Sequence, residues 1–379
     1  MRNAFLQKGD CGLFPEVRMY KRPLIIGSRE INLSSETTGV ADMVQRIGGN
    51  SGNIFFTQSI LNIFKNGRSH PGHISERAFV DGDCFILAAA NWLNAYEDFG
   101  WLYEELKTTD LPIFIIGIGT QTTVDMEIPP LRPGTLNLLR LVSERSCLIS
   151  TRGRFSCRVL EHYGIKNVCD TGCPSLLLCG ENGPIITKKP KTGRIALHGT
   201  RHTLNLPDLF QQYIYRQALK QDFDIILQSE YEDIQFVMDC SGTASPKEIL
   251  EKLCGWYGAS DIISLREYLN KHGHFFYNTT DWLSYIKSCD FVLGTRIHGT
   301  IASLIAGTPA VLIAHDPRTL ELALTMNIPY CLMSDIDIRH DIDIEKVKSE
   351  YWNEFVVDGY SKYWAKFINF FAQNQLEIL

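Results

Sequence analysis

Residues 291–314 read FVLGTRIHGTIASLIAGTPAVLIA. The run 291–293 is short and apolar and predicts a buried strand, 299–306 predicts a helix, and 310–314 predicts a second buried strand. A strand, a crossover helix and a second strand in so short a stretch make a βαβ unit. Such units build parallel sheets covered by helices on both faces.

The same rhythm extends in both directions. Before this unit, strands are predicted at 195–198, 223–228 and 275–277, with helices at 206–219, 246–256 and 281–289; a helix at 318–326 follows it. An earlier series begins at Ile47. There the run Gly48-Gly49-Asn50-Ser51-Gly52-Asn53 enters a helix over 54–65. Strands follow at 84–89, 113–116, 147–150 and from Val168, with helices at 95–107, 136–144 and 155–163, the last closed by Gly164. Ahead of Ile47 only a short strand at 22–26 and a loop at 34–38 stand out. Between the two series, residues 180–193 hold Gly, Pro and three lysines and predict a linker. The expectation is an α/β protein of two domains, 1–185 and 186–345. A helical tail over 346–379, rich in Trp, Tyr and Phe, packs back on the body.

Composition narrows the function. Lys plus Arg number 37 against 43 Asp plus Glu, a net charge of −6, and no basic stripe marks a nucleic-acid surface. An anion site must therefore be a local pocket. The longest apolar stretch, 301–314, is broken by Gly307 and Pro309, so no segment supplies the ~20 apolar residues of a membrane span. Residues 1–8 lack the apolar core of a signal peptide. The 11 cysteines are scattered, with no CxxC pair, and predict free thiols in a reducing, cytoplasmic setting. Asp335, Asp337, Asp341 and Asp343 lack the Gly and terminal Glu of a calcium loop, so no metal site is expected.

In open α/β sheets ligands sit beyond the carboxyl ends of the strands. The residues just after predicted strands are Asn91, Gln121, Arg152, Arg201, Arg296, His298, His315 and Asp316. The turn Gly294-Thr295-Arg296-Ile297-His298-Gly299 is the most informative. A helix start there presents unpaired N–H groups, its glycines allow close approach, Arg296 suits a carboxylate or phosphate, and His298 suits proton transfer near neutral pH. The ordinary alternative is a capping Arg and a core His, and the coincidence of all these features weighs against it.

The stretch 294–309, followed by Ala314-His315-Asp316-Pro317-Arg318-Thr319, resembles the polysaccharide pyruvyl transferase family. Gly117-Ile118-Gly119-Thr120-Gln121, Gly172-Cys173-Pro174-Ser175 and the opening 48–53 turn resemble it too. Asn53 stands where that turn often carries Asp. The resemblance spans about 46–330. It implies two Rossmann-like domains in a GT-B-like arrangement, with a cleft between them. It also implies transfer of a carboxyethylidene group from phosphoenolpyruvate to two hydroxyls of a sugar, with phosphate released and no cofactor besides that co-substrate. Arg296 and His298 would be catalytic. Arg296, Ile297, His298 and Gly299 would hold the donor, with Arg201 as the second donor arginine. Asn50, Asn53, Asn91, Gln121, Arg152, His315 and Asp316 are the acceptor candidates.

The acceptor is a sugar, lipid-linked, nucleotide-linked or a polymer end. A lipid-linked acceptor implies peripheral contact with the inner face of a membrane. The competing reading is a GT-B-like glycosyltransferase using a nucleotide sugar, for which Glu321 is the available ribose acid. A third is a sugar-binding protein without activity, which has no need to keep both Arg296 and His298. Gly117-Ile118-Gly119 is only a fragment of a dinucleotide fingerprint, since Thr122 replaces its third glycine.

Overall fold

The computed structural model describes residues 19–31, 39–74, 81–122, 125–186, 192–206, 208–238, 246–352 and 356–379. Strands β1 (Pro23–Ile26), β2 (Arg68–Ser69), β3 (Cys84–Ala88) and β4 (Ile113–Ile116) form a parallel sheet in the order β2-β1-β3-β4. Strands β5 (Ile149–Thr151) and β6 (Val168–Asp170) pair in parallel, and a bridge from Ile118 to Thr151 adds them beside β4. A second parallel sheet contains β7 (Ile195–His198), β8 (Asp224–Leu227), β9 (Gly273–Phe275), β10 (Phe291–Gly294), β11 (Ala310–Ala314) and β12 (Tyr330–Leu332), in the order β12-β11-β10-β7-β8-β9. The predicted α/β class and pair of wound sheets are therefore present.

The strand orders place the cavity. In the second sheet the chain winds from β7 to β8 and β9, then returns to the other side of β7 for β10, β11 and β12. The connecting helices leave toward opposite faces at the β7/β10 boundary, which opens a crevice at the carboxyl ends of those strands. The first sheet reverses in the same way between β1 and β3. Both crevices open on one cavity of about 830 Å³, lined by Gly27 and Asn91 from one sheet and by Thr200, Arg201 and Arg296 from the other.

Strands β3, β4, β10 and β11 form where they are predicted because they are apolar and buried on both faces. Elsewhere the structure corrects the expectation. The helix expected over 95–107 starts only at Gly100 and runs Gly100–Leu106. The Asn94 side-chain oxygen accepts the backbone N–H groups of Tyr96 (3.0 Å) and Glu97 (2.7 Å), which holds the preceding residues in turns. Strand β9 lies two residues before its expected place, because Phe276 leaves the sheet to stack on Trp282. The helix after β10 runs Ile297–Ala306, so His298 lies inside its first turn. Helices Val40–Arg46, Tyr231–Met238 and Ile262–His272, and strands β2 and β12, were not legible in the pattern. The loop at 34–38 and part of the 180–193 linker fall outside the described residues. No helix among the described residues is long and apolar enough to cross a membrane.

The helix Val356–Gln373 is amphipathic, and its Tyr360, Tyr363, Phe367, Phe370 and Phe371 pack with Ile25, Ile86 and Phe114 of the first sheet and with Ile301 and Leu312 of the second half. It is thus part of a core shared by both halves. Phe367 is completely buried, so Phe367→Ala should cost about 3–5 kcal/mol of stability, read as a lower midpoint in a denaturant titration.

Candidate active site

The turn after β10 is held by His198, the last residue of β7. Thr295 N–H donates to the His198 carbonyl at 2.9 Å, and Arg296 N–H donates to His198 Nδ1 at 3.0 Å. A Cβ on Gly294 would lie 2.0 Å from the His198 carbonyl oxygen, and one on Gly299 would lie 2.4 Å from His198 Cδ2. Both glycines are there so that the turn can close around this ring. Because Nδ1 accepts a hydrogen bond, His198 is the neutral form with its proton on Nε2. Burial, with Arg296 adding to it, lowers its pKa to about 3.

The Arg296 side chain is fastened on two of its three nitrogens. Nε donates to the Gly199 carbonyl at 3.1 Å, and Nη2 donates to Ser229 Oγ and to Glu230 Oε1. Nη1 bonds to no described residue, and Arg296 lines the cavity. Glu230 is buried and accepts the Gln228 N–H at 2.8 Å and the Ser229 N–H at 3.1 Å. Burial pushes its carboxyl up, but Arg296, the Gln228 N–H and Arg201 outweigh that and hold it down at about 2.

His298 is 6% exposed, with Nε2 3.5 Å from Cys173 Sγ and its ring against Phe56. A Cβ on Gly52 would come within 2.5 Å of its Nδ1, so the Gly-rich turn of the first half closes over the ring. The expectation of a histidine titrating near neutrality is corrected here. Burial, then Arg152 and Arg296, lower its pKa to about 3 and leave it neutral.

Arg201 borders the cavity, but its guanidinium pairs with Asp233 and with Glu232 at 3.1 Å, beneath the Tyr215 and Trp256 rings. Asn50, Asn53, Asn91, Gln121, Arg152, Ile297 and His315 also line the cavity. The first two shape their own turn. Asn50 Oδ1 accepts the Gly52 N–H at 2.8 Å, and Asn53 Nδ2 donates to the Gly48 carbonyl at 2.8 Å. Gly299 and Asp316 are not in the lining. Gly299 is packed on His198, and Asp316 caps the helix Pro317–Met326 by accepting the Thr319 N–H at 2.6 Å. Glu321 is taken as well: its Oε1 accepts the Phe155 N–H at 2.6 Å, at the start of helix Arg154–His162 in the other half.

Several lining residues escaped the sequence reading, among them Arg46, Trp92, Tyr96, Trp101 and Ser229, and Arg318 was quoted there only as part of a motif. Trp92 stacks on Phe99 at 4.3 Å, while Tyr96 and Trp101 are 60% and 49% exposed. Four aromatic residues within 92–101 were the available signal, three of them hidden by the helix expected over 95–107.

The model of the polysaccharide pyruvyl transferase family matches residues 26–317, and the chain belongs to that family. No curated protein matches the sequence. Among solved structures, UDP-N-acetylglucosamine 2-epimerase from Rickettsia bellii is similar over 94% of this chain and 97% of its own, at 10% identity and a TM-score of 0.40. The wall teichoic acid polymerase TagF is similar over 93% and 84%, at 12% identity and a TM-score of 0.37.

His198 and His298 give a pH dependence of known sign. Folded, each stays neutral down to about pH 3; unfolded, each takes up a proton near 6.5. The unfolded state therefore binds more protons between these values, and stability falls as the pH drops from 6.5 toward 3, by up to ~1.4 kcal/mol per pH unit for each histidine. Denaturant midpoints measured from pH 7 to 4 should show this slope, and His298→Asn should flatten it.

Proposed function

We propose that the protein transfers a carboxyethylidene group from phosphoenolpyruvate to two hydroxyls of a sugar, in a polysaccharide or its precursor, and releases phosphate. The observation that carries this reading is Arg296. It lines the cavity at the start of helix Ile297–Ala306, at the strand-order reversal of the second sheet, and its Nη1 bonds to no described residue. A helix start with an oriented guanidinium is suited to a carboxylate or a phosphate, and the donor carries both.

The reaction needs one proton delivered to the donor's methylene carbon, which becomes a methyl group. The adjacent carbon then takes a sugar oxygen. A second sugar oxygen displaces phosphate, and the two hydroxyl protons balance the methyl proton and the phosphate proton. His298 supplies the acid or binds the phosphate. Burial, Arg152 and Arg296 keep it neutral, and an anionic donor beside it favours its protonated form. Substrate binding thus turns the ring into an acid.

In this reading the second sheet holds the donor and the first faces the acceptor, with Asn50, Asn53, Asn91 and Gln121 as partners for sugar hydroxyls. The cavity is far larger than a three-carbon donor requires. The exposed faces of Tyr96 and Trp101 at its edge offer platforms for a sugar ring. Glu321, the acid a nucleotide-sugar enzyme would need, caps a helix instead, which weighs against that alternative.

Thermal unfolding with added ligand tests the reading, since a ligand that binds only the folded state raises the melting temperature. Phosphoenolpyruvate should raise it, UDP and GDP should not, and Arg296→Ala should abolish the shift. A shift with a nucleotide and none with phosphoenolpyruvate would replace this reading by the glycosyltransferase one.

A further inference from the structure

One stretch of the cavity wall, in the first half, is aromatic and acidic. From Asn91 to Leu106 the sequence has no lysine or arginine and four acids, Glu97, Asp98, Glu104 and Glu105. Trp92, Tyr96, Glu97, Phe99 and Trp101 of this stretch line the cavity, and Glu97 is the one carboxylate among the described lining residues. Its Oε2 accepts from Asn94 Nδ2 at 2.7 Å, and its Oε1 bonds to no described residue. The second half has the opposite character, lining the same cavity with Arg201, Arg296 and Arg318.

The rings of this stretch are fixed from behind. Asn94 is completely buried; its Oδ1 accepts the Tyr96 and Glu97 N–H groups, and its Nδ2 also donates to the Asn91 carbonyl at 2.8 Å. Thr135, in the first turn of helix Pro133–Arg145, accepts the Phe99 N–H at 3.1 Å and donates to the Glu97 carbonyl at 3.3 Å. Trp101 is backed by residues 72 and 73. A Cβ on Gly72, whose φ is +73° or more at +94°, would lie 3.1 Å from Trp101 Cη2. The His73 ring, 3.1 Å from Glu105 through its Nδ1, has its centre 6.0 Å from that of Trp101. Even so, 49% of Trp101 stays exposed. An aromatic ring held on one side and wet on the other loses little freedom when a ligand covers it.

We propose that Trp101 and Tyr96 bind a second, uncharged sugar residue of the acceptor, next to the one that receives the carboxyethylidene group, and that Glu97 Oε1 accepts from one of its hydroxyls. The acceptor is then the end of a neutral oligosaccharide, and any phosphate on it lies beyond that second residue. A sugar ring has an apolar face that covers an aromatic ring and hydroxyls at its edge that need acceptors. A nucleotide-linked sugar carries its diphosphate directly on the reacting residue, which would set two negative groups against a wall with acids and no cation of its own. The cavity, at about 830 Å³, lies toward the upper end of the range of about 300–1,000 Å³ for sites that enclose a drug-sized ligand, and exceeds what a three-carbon donor and one sugar ring fill. The inference rests on the phosphoenolpyruvate reading above, since the sugar it describes is the acceptor of that transfer.

The test is binding of native protein, Trp101→Ala and Trp101→Phe to an array of neutral and acidic glycans, from monosaccharides to hexasaccharides, with UDP-glucose and UDP-N-acetylglucosamine as further probes, each with and without phosphoenolpyruvate. Native protein should bind neutral glycans of two or more residues and not the matching monosaccharides. Trp101→Ala should weaken the best disaccharide by about tenfold, the loss expected for one stacked ring, and Trp101→Phe should restore most of it. Trp101 is half exposed, so its variants fold, and their melting temperatures without ligand check this. Equal binding by native protein and Trp101→Ala, no preference for a disaccharide over its monosaccharide, no glycan bound at all, or a UDP-sugar bound more tightly than every disaccharide overturns the proposal. The function reading is judged separately. If phosphoenolpyruvate raises the melting temperature and any of those outcomes is seen, the reading stands and this inference falls. If phosphoenolpyruvate does not stabilise the native protein, the reading falls and takes the acceptor role of Trp101 with it.

Discussion

The imidazole of His198, wedged between Gly294 and Gly299, is the contact on which the site depends. It accepts the Arg296 N–H while its backbone carbonyl accepts the Thr295 N–H, so β7 dictates how the chain leaves β10. Those strands are the neighbours between which the sheet order reverses. With the turn fixed there, Arg296 projects over Gly199 and Ser229 and meets Glu230, and the helix start behind it faces the cavity. A side chain on either glycine would enter the space that His198 occupies. The site thus depends on a steric constraint first and on charge second.

The second condition is that the halves hold still relative to one another. Three contacts do this by different means. The aromatic face of helix Val356–Gln373 packs into a core that contains residues of both sheets. Glu321 reaches across to cap helix Arg154–His162, and a Cβ on Gly153 would meet its carboxylate at 2.5 Å. Gly52 lies against His298 with no room for a side chain. The cavity wall from the first half is therefore placed against the second by packing, not by a hinge alone.

What was legible in the sequence follows from this. Fully buried parallel strands read as apolar runs, so β4, β7 and β11 appear at their predicted positions. The Gly-flanked Arg296 turn was also visible, because close approach leaves glycine as its trace. Ion-pair partners leave no such trace. Glu230, Asp233 and Glu232 follow β8 as ordinary acidic residues, and nothing in their spacing says that they match Arg296 and Arg201. The depressed proton affinity of His298 was invisible for the same reason, since it comes from burial and from Arg152, far away in the chain. The aromatic residues Tyr96, Phe99 and Trp101 were lost to a helix expected over 95–107, whose start Asn94 overrides through its turn.

These partners decide how the site works. Burial, Arg152 and Arg296 keep the His298 ring neutral. An anionic ligand reverses the balance, because each negative group that enters cancels part of the field that keeps the ring neutral. In the proposed reaction, binding and acid strength are then one event, and the ring is armed only beside the molecule it would protonate. The two cations are held differently: Arg296 is oriented by Glu230, whereas Arg152 is held by the Gly117 carbonyl and the Asn91 side chain.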